Sequence, residues 1–166
     1  MCVLQALSDA ARLRAVPCHP HLDAGALDAA VTAVDKLLTQ FVREGAVGAG
    51  GCTGACEGGF LLIAWDETAG PLSGCRLDKI DKVLADQERR SGSDLLVPPP
   101  ICLHREGRPH CVTHAGLRAL VAAGEVDRDS RAYDHLVTSL GAWRAGMPRP
   151  VADIPWLAGA VVRLAS

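Results

Sequence analysis

Gly50-Gly-Cys-Thr-Gly-Ala-Cys-Glu-Gly-Gly-Phe-Leu-Leu-Ile-Ala-Trp65 is the stretch on which the fold turns. Its second half, Phe60 to Trp65, is an unbroken apolar run of strand length, closed by Asp66. A run of that kind predicts a central strand covered on both faces, or one covered on a single face by helices. Glycines at 48, 50, 51, 54, 58 and 59 divide residues 46–66 into two strands joined by a turn.

Upstream, Leu27, Val31, Val34, Leu38 and Phe41 recur at spacings of four and three, which puts them on one face of a helix. Asp23 is a plausible N-cap and Gly45 a plausible stop, so the spacing predicts a helix over Asp23–Glu44. Before it, Cys18-His-Pro-His21 reads as a loop, and Met1 to Ala15 as a short strand or a frayed helix. Downstream, the loop Glu67–Leu72 leads into Ser73-Gly74-Cys75, where a second helix starts. Leu77, Ile80, Val83 and Leu84 form its apolar stripe, and it ends near Ser91-Gly92.

Pro98-Pro-Pro100 breaks the chain before a hairpin over Ile101–Thr113. A two-residue loop at Glu106-Gly107 puts Cys102 opposite Cys111 and Leu103 opposite His110. Cys102, His104 and Cys111 then share one face, while His110 points to the other. Pro109 falls in a non-hydrogen-bonded pair, which requires an edge strand. A third helix is predicted over about His114–Ala123, ending at Gly124. Beyond Glu125 the pattern weakens to a short helix around Val137–Arg144 and a Pro-punctuated tail.

The order helix, strand, strand, helix, strand, strand, helix predicts an α+β fold, an antiparallel sheet with helices on one face. With residues 2–7 as a first strand, residues 1–113 become β-α-β-β-α-β, the ferredoxin-like arrangement, followed by a C-terminal helical extension. At 166 residues the chain is expected to form a single domain, 1–166.

Almost half of the residues are apolar but only six are aromatic, so Leu, Val, Ile and Ala must build the core. The net charge is −2 without a run of like charges, which argues against nucleic acid as a partner. No apolar run approaches the 18 or so residues that span a bilayer. The N-terminal region has no basic segment ahead of an apolar stretch, so a cytoplasmic location is expected. Seven cysteines are an odd count and cannot close a disulfide framework, and in a reducing compartment most are expected to be thiols.

The candidate chemistry centres on Cys75. A cysteine in the opening turn of a helix faces unpaired backbone N–H groups and the positive end of the helix dipole, both of which favour thiolate. Ser73 or Gly74 supplies the cap and Arg76 adds positive charge. Asp78, three residues on, opposes thiolate formation by repulsion but could accept the thiol proton or orient a substrate amine. Asp66 and Glu67, at the end of the preceding strand, could enter the same region. The catalytic candidates are therefore Cys75, Asp78 and Glu67, and the substrate-binding candidates are Asp66, Ser73 and Arg76. The competing reading makes Cys75 a small buried hydrophobe behind a helix cap.

Trp65-Asp-Glu67, Ser73-Gly-Cys-Arg-Leu-Asp78, Asp94-Leu-Leu96, Tyr133-Asp-His-Leu-Val-Thr138 and Pro150-Val-Ala-Asp-Ile-Pro-Trp156 resemble a group of short, uncharacterised bacterial proteins. Their signature is Ser-Gly-Cys-x-x-Asp opening a helix, and they are often labelled ABC transporter ATPases. The resemblance spans about residues 22–157 and implies a site at Cys75. This chain departs at Arg76, where the group has a small residue, at Ile154-Pro155 and at His135, where the group has Asn. A transporter ATPase needs a glycine loop ending in Gly-Lys-Ser/Thr, and Gly50-Gly-Cys-Thr-Gly54 lacks the lysine.

Other Cys and His residues cluster more loosely. Cys52 and Cys56 flank a turn as a redox pair or half of a metal knuckle, although the further ligands of a zinc site do not appear at short spacing. His104, His110, His114 and His135 are all candidates to pair with a catalytic thiol, and none stands out. No metal or cofactor is expected.

Three functions stay open. The first is a small cysteine-dependent enzyme acting on a small molecule, with Cys75 as nucleophile. The second is a non-catalytic ligand- or protein-binding module, for which a homodimer is one arrangement. The third is a thiol-based metal or redox protein using Cys52/Cys56 or Cys102/Cys111.

Overall fold

The computed structural model describes residues 3–165 and is an α+β protein with two antiparallel sheets. Its contacts group the chain into two compact units. Unit 1 comprises Met1–Pro98 with Leu136–Ala145, and unit 2 comprises Pro99–His135 with Gly146–Ser166.

In unit 1, strands β1 (Arg12–Pro17), β2 (Gly50–Ala55) and β3 (Phe60–Trp65) lie in the order β1-β3-β2. All six residues of the central strand are buried. Side chains alternate across a strand, so Leu61, Ile63 and Trp65 share one face. They pack with Val34, Leu38 and Phe41 of α2 (Ala24–Arg43) and with Ile80 and Leu84 of α3 (Gly74–Ser91). Phe60 points the other way and meets Trp143 edge-on, with ring centroids 5.2 Å apart. The apolar run is thus a central strand covered on both faces.

The order β1-α2-β2-β3-α3, with β1 and β2 flanking β3, is compatible with the ferredoxin-like arrangement without completing it. The next strand, β4 (Ile101–Arg105), is paired in the second sheet. The first strand lies later in the chain than residues 2–7. Val3–Ala6 is a helical turn, α1, while Met1 and Cys2 lie outside the described residues. The reason is visible in the register: Arg12-Leu-Arg-Ala-Val-Pro17 supplies an alternating strand that pairs residue for residue with Trp65 back to Phe60.

Helix α2 starts where the Asp23 carboxylate accepts the Ala26 N–H at 2.8 Å, and stops before Gly45, whose φ is +67°. Its buried face is Ala30, Val34, Leu38 and Phe41, narrower than the spacing predicts, because Leu27 and Val31 are half-buried. Leu27 lies over Gly54, where a Cβ would come within 2.7 Å of its methyl carbons. Helix α3 likewise buries Ile80 and Leu84 but leaves Leu77 exposed at 37%.

In unit 2, β4, β5 (Arg108–Val112), β6 (Arg131–Tyr133) and β7 (Arg149–Pro150) form a sheet in the order β5-β4-β6-β7. Ile101, Leu103 and Ala132 on one face pack with Leu117 and Val121 of α4 (His114–Ala122) and with Leu157 and Val161 of α6 (Pro155–Ala165). Between them the chain makes α5 (Leu140–Arg144), which belongs to unit 1 and is capped by the Ser139 hydroxyl accepting from Ala142 N–H at 3.2 Å. The Pro-punctuated tail is in fact helical over α6. Pro155 occupies its first position, where a missing N–H costs nothing, so this proline starts a helix instead of excluding one.

Candidate functional site

The β4–β5 hairpin turns at Glu106 and Gly107, whose φ values of +51° and +80° are both left-handed. A two-residue turn of that hand matches the strand twist and locks the register. Arg105 pairs with Arg108, His104 with Pro109, Leu103 with His110 and Cys102 with Cys111. With β5 at the sheet edge, Pro109 meets the requirement that its missing N–H breaks no ladder. On the other side of β4, Tyr133 of β6 stands opposite Cys102. Cys111, Cys102 and Tyr133 therefore form a row across three strands, and His104 lies one alternation further along the same face.

Within that row the Cys102 and Cys111 sulfurs, both thiols, approach to 2.9 Å. The Tyr133 hydroxyl meets His104 Nδ1 at 2.9 Å, with the two rings edge-on. Cys102, Cys111 and Tyr133 are 1%, 6% and 2% exposed. The hydrogen bond with Cys102 holds the Cys111 thiol below its ordinary pKa, while burial pushes it up. A thiol near a proton-donating partner is the more nucleophilic of the two.

Nearby in unit 2, the His135 ring stands edge-on to Trp156, whose indole N–H donates to Asp134 at 3.3 Å. Burial pushes the His135 imidazole below its ordinary value, opposed by the Tyr133 carbonyl and the Asp134 carboxylate. Its Nδ1 is buried without a hydrogen-bond partner among the described residues.

The residues singled out around Cys75 belong to unit 1. Cys75 is exposed in the first turn of α3, so it is not packed under Leu and Val side chains. Ser73 holds the cap position in extended backbone, but its hydroxyl makes no capping hydrogen bond. Asp78 is exposed one turn along the helix. The other candidates are engaged locally. Glu67 accepts the Trp65 indole N–H at 3.0 Å, and Asp66 accepts the Thr68 N–H at 2.8 Å. Arg76 pairs with Glu44 at 3.4 Å and lies over the Phe41 ring, 5.9 Å from its centroid. His104, His110, His114 and His135 are all in unit 2.

Cys52 is buried in the unit 1 core, and its N–H donates to Asp35. Burial raises the Asp35 pKa. Cys56 sits in the turn with φ +52°. Among the described residues, no three His, Cys, Asp or Glu side chains are grouped to hold a metal ion. No described helix is long and apolar enough to cross a membrane. Tyr133 is the site residue that sequence reasoning misses. It is the only tyrosine, but β6 is three residues long and leaves no periodic trace.

No protein-family model, curated protein or solved structure matches the chain.

Proposed function

We propose that the protein is a redox-active dithiol that exchanges with small-molecule disulfides through Cys102 and Cys111. The observation that carries this reading is the pairing of the two thiols across a non-hydrogen-bonded site, 2.9 Å apart, with the Cys111 thiol acidified by its neighbour. Non-hydrogen-bonded pairs bring Cα atoms to about 4.5 Å, within the range a disulfide spans.

Cys111 lies on the edge strand and is the less buried of the two, so its thiolate is the attacking group. It bonds to one sulfur of the disulfide and expels the other as a thiolate, which takes up a proton. Cys102 then loses its proton to water and attacks the Cys111 sulfur, and the second small-molecule sulfur leaves as a thiolate that takes up a proton. The protein loses two electrons and two protons, and one small disulfide becomes two thiols. A cytoplasmic setting would hold the resting pair reduced.

The test is incubation of the full chain with oxidised glutathione, acid quench, alkylation and peptide mass spectrometry. A Cys102–Cys111 cross-link is expected, and Cys102→Ser should stall with glutathione on Cys111. If glutathione accumulates on exposed Cys75 while Cys102 and Cys111 stay alkylatable thiols, the proposal is overturned.

A second reading makes Cys75 the nucleophile of a small cysteine-dependent enzyme, as the Ser-Gly-Cys-x-x-Asp resemblance implies. It is favoured by the exposure of Cys75 in a first turn without a side-chain cap. Cys75→Ala with unchanged turnover of every substrate found would end it.

A further inference from the structure

At the tip of the β4–β5 hairpin, on the face opposite the thiols, a cavity of about 270 Å³ is lined by Arg105, Glu106, Arg108, Pro109 and His110. The register explains the convergence. Arg105 and Arg108 are direct cross-strand partners, and His110 follows Arg108 by two residues, so all three basic side chains project from the same face. Two like charges directly opposite one another repel, and a counter-charge nearby offsets the cost. Arg105 has one, an ion pair with Glu125 at 2.5 Å. Arg108 and His110 make no side-chain hydrogen bond or ion pair among the described residues. The fold has thus set a guanidinium and an imidazole, both without acceptors, beside a second guanidinium around one small concavity.

The geometry points to a binding site for a phosphate group here, independent of the dithiol reading. Guanidinium forks match the paired oxygens of a phosphate, and such charge-assisted hydrogen bonds are roughly twice as strong as neutral ones. The space is below the roughly 300–1,000 Å³ of pockets that enclose drug-sized ligands, so the ligand is inorganic phosphate or the phosphate end of a small metabolite. Glu125 tunes the site: by holding Arg105 it removes part of the positive charge available to the anion.

Calorimetric titration of the full chain with inorganic phosphate at fixed ionic strength tests this, with glycerol phosphate and succinate as parallel arms. Saturable binding is expected to weaken about tenfold in Arg108→Gln, the loss of one charge-assisted hydrogen bond. His110→Gln should weaken it by a smaller factor, and Glu125→Gln should tighten it by freeing Arg105. Both Arg108 and His110 are exposed, so the two substitutions leave the fold in place, which circular dichroism would verify. Tighter glycerol phosphate binding would identify a phosphate monoester as the ligand, and tighter inorganic phosphate binding the free ion; either result supports the site. Absence of saturable binding in both the wild type and Glu125→Gln would overturn it. So would equal affinity in Arg108→Gln, or succinate binding more tightly than phosphate.

Discussion

In the β2–β3 hairpin, Cys52 and Cys56 stand four residues apart, on one arm and in its turn; in the β4–β5 hairpin, Cys102 and Cys111 stand nine apart on facing arms. Nearness along the chain favours the first pair. Extended backbone rises about 3.3 Å per residue, so four residues carry a side chain roughly 13 Å along its strand. Facing residues in an antiparallel pair are held at about 5 Å whatever their separation in sequence. Cys52 consequently ends in the helix-covered core of unit 1, while the sulfurs of Cys102 and Cys111 come to 2.9 Å. Register, set by the turn, decides which thiols can react together.

The two turns also differ in how much room surrounds them, and that difference gives the largest measurable contrast. Gly58 has φ +82°, and a Cβ there would lie 2.2 Å from the Leu22 carbonyl oxygen. The same neighbourhood carries the bonds from Leu22 N–H to the Gly58 carbonyl and from Cys18 N–H to the Gly59 carbonyl. Gly58→Ala must therefore bear both left-handed strain and a backbone collision. Chemical denaturation should show a loss of about 3 kcal/mol or more. A loss below about 1 kcal/mol would mean that the Leu22 loop moves aside freely.

Gly107 shares the left-handed backbone, with φ +80°, but a Cβ there would meet nothing within 4 Å. Gly107→Ala should cost only about 1 kcal/mol, from backbone strain alone. Smaller still, Glu106 adopts φ +51°, a conformation that Asn accepts more readily than Glu. Glu106→Asn should stabilise the hairpin by about 0.5 kcal/mol, read as a rise in the denaturation midpoint. If Gly58→Ala and Gly107→Ala cost the same, steric room is not what separates the two turns.

Much of this was legible in the residues themselves. The Phe60–Trp65 run, the Asp23 and Gly45 helix bounds and the Glu106-Gly107 turn are local signals, and each governs structure within a few residues of itself. The hairpin register followed from turn length alone, so the facing of Cys102 and Cys111 could be read without coordinates. What could not be read depends on partners distant in sequence. Tyr133 reaches Cys102 through a three-residue strand paired with β4. Leu77 sits on an apolar stripe by spacing, yet the packing of α3 leaves it exposed. Exposure of Cys75 is likewise a tertiary outcome: its place in the first helical turn was evident, but its surroundings were not.

The finest contrast between the cysteines concerns protons. The hydrogen bond between the two sulfurs lowers the Cys111 pKa, while burial acts in the opposite direction, and the first prevails. A thiol whose pKa is lower in the folded state than in the unfolded state carries fewer protons when folded, through the interval between the two values. Stability then rises with pH across that interval. The contribution is complete above the ordinary thiol value of about 8.5 and is lost as pH falls through the folded one. Cys102→Ala removes the hydrogen-bonding sulfur and leaves burial alone, which pushes the Cys111 thiol above its ordinary value. The slope should then change sign, with stability falling as pH rises past about 8.5. Urea denaturation of both proteins from about pH 6.5 to about pH 9.5 brackets this range. Below about pH 8, where the thiol of Cys102 itself stays protonated in both states, the difference between the two curves cancels the other titrating groups and reports Cys111 alone. A difference that grows with pH is the expected result. Parallel curves would mean that the sulfur–sulfur contact is packing alone and that Cys111 has no special claim to be the attacking thiol.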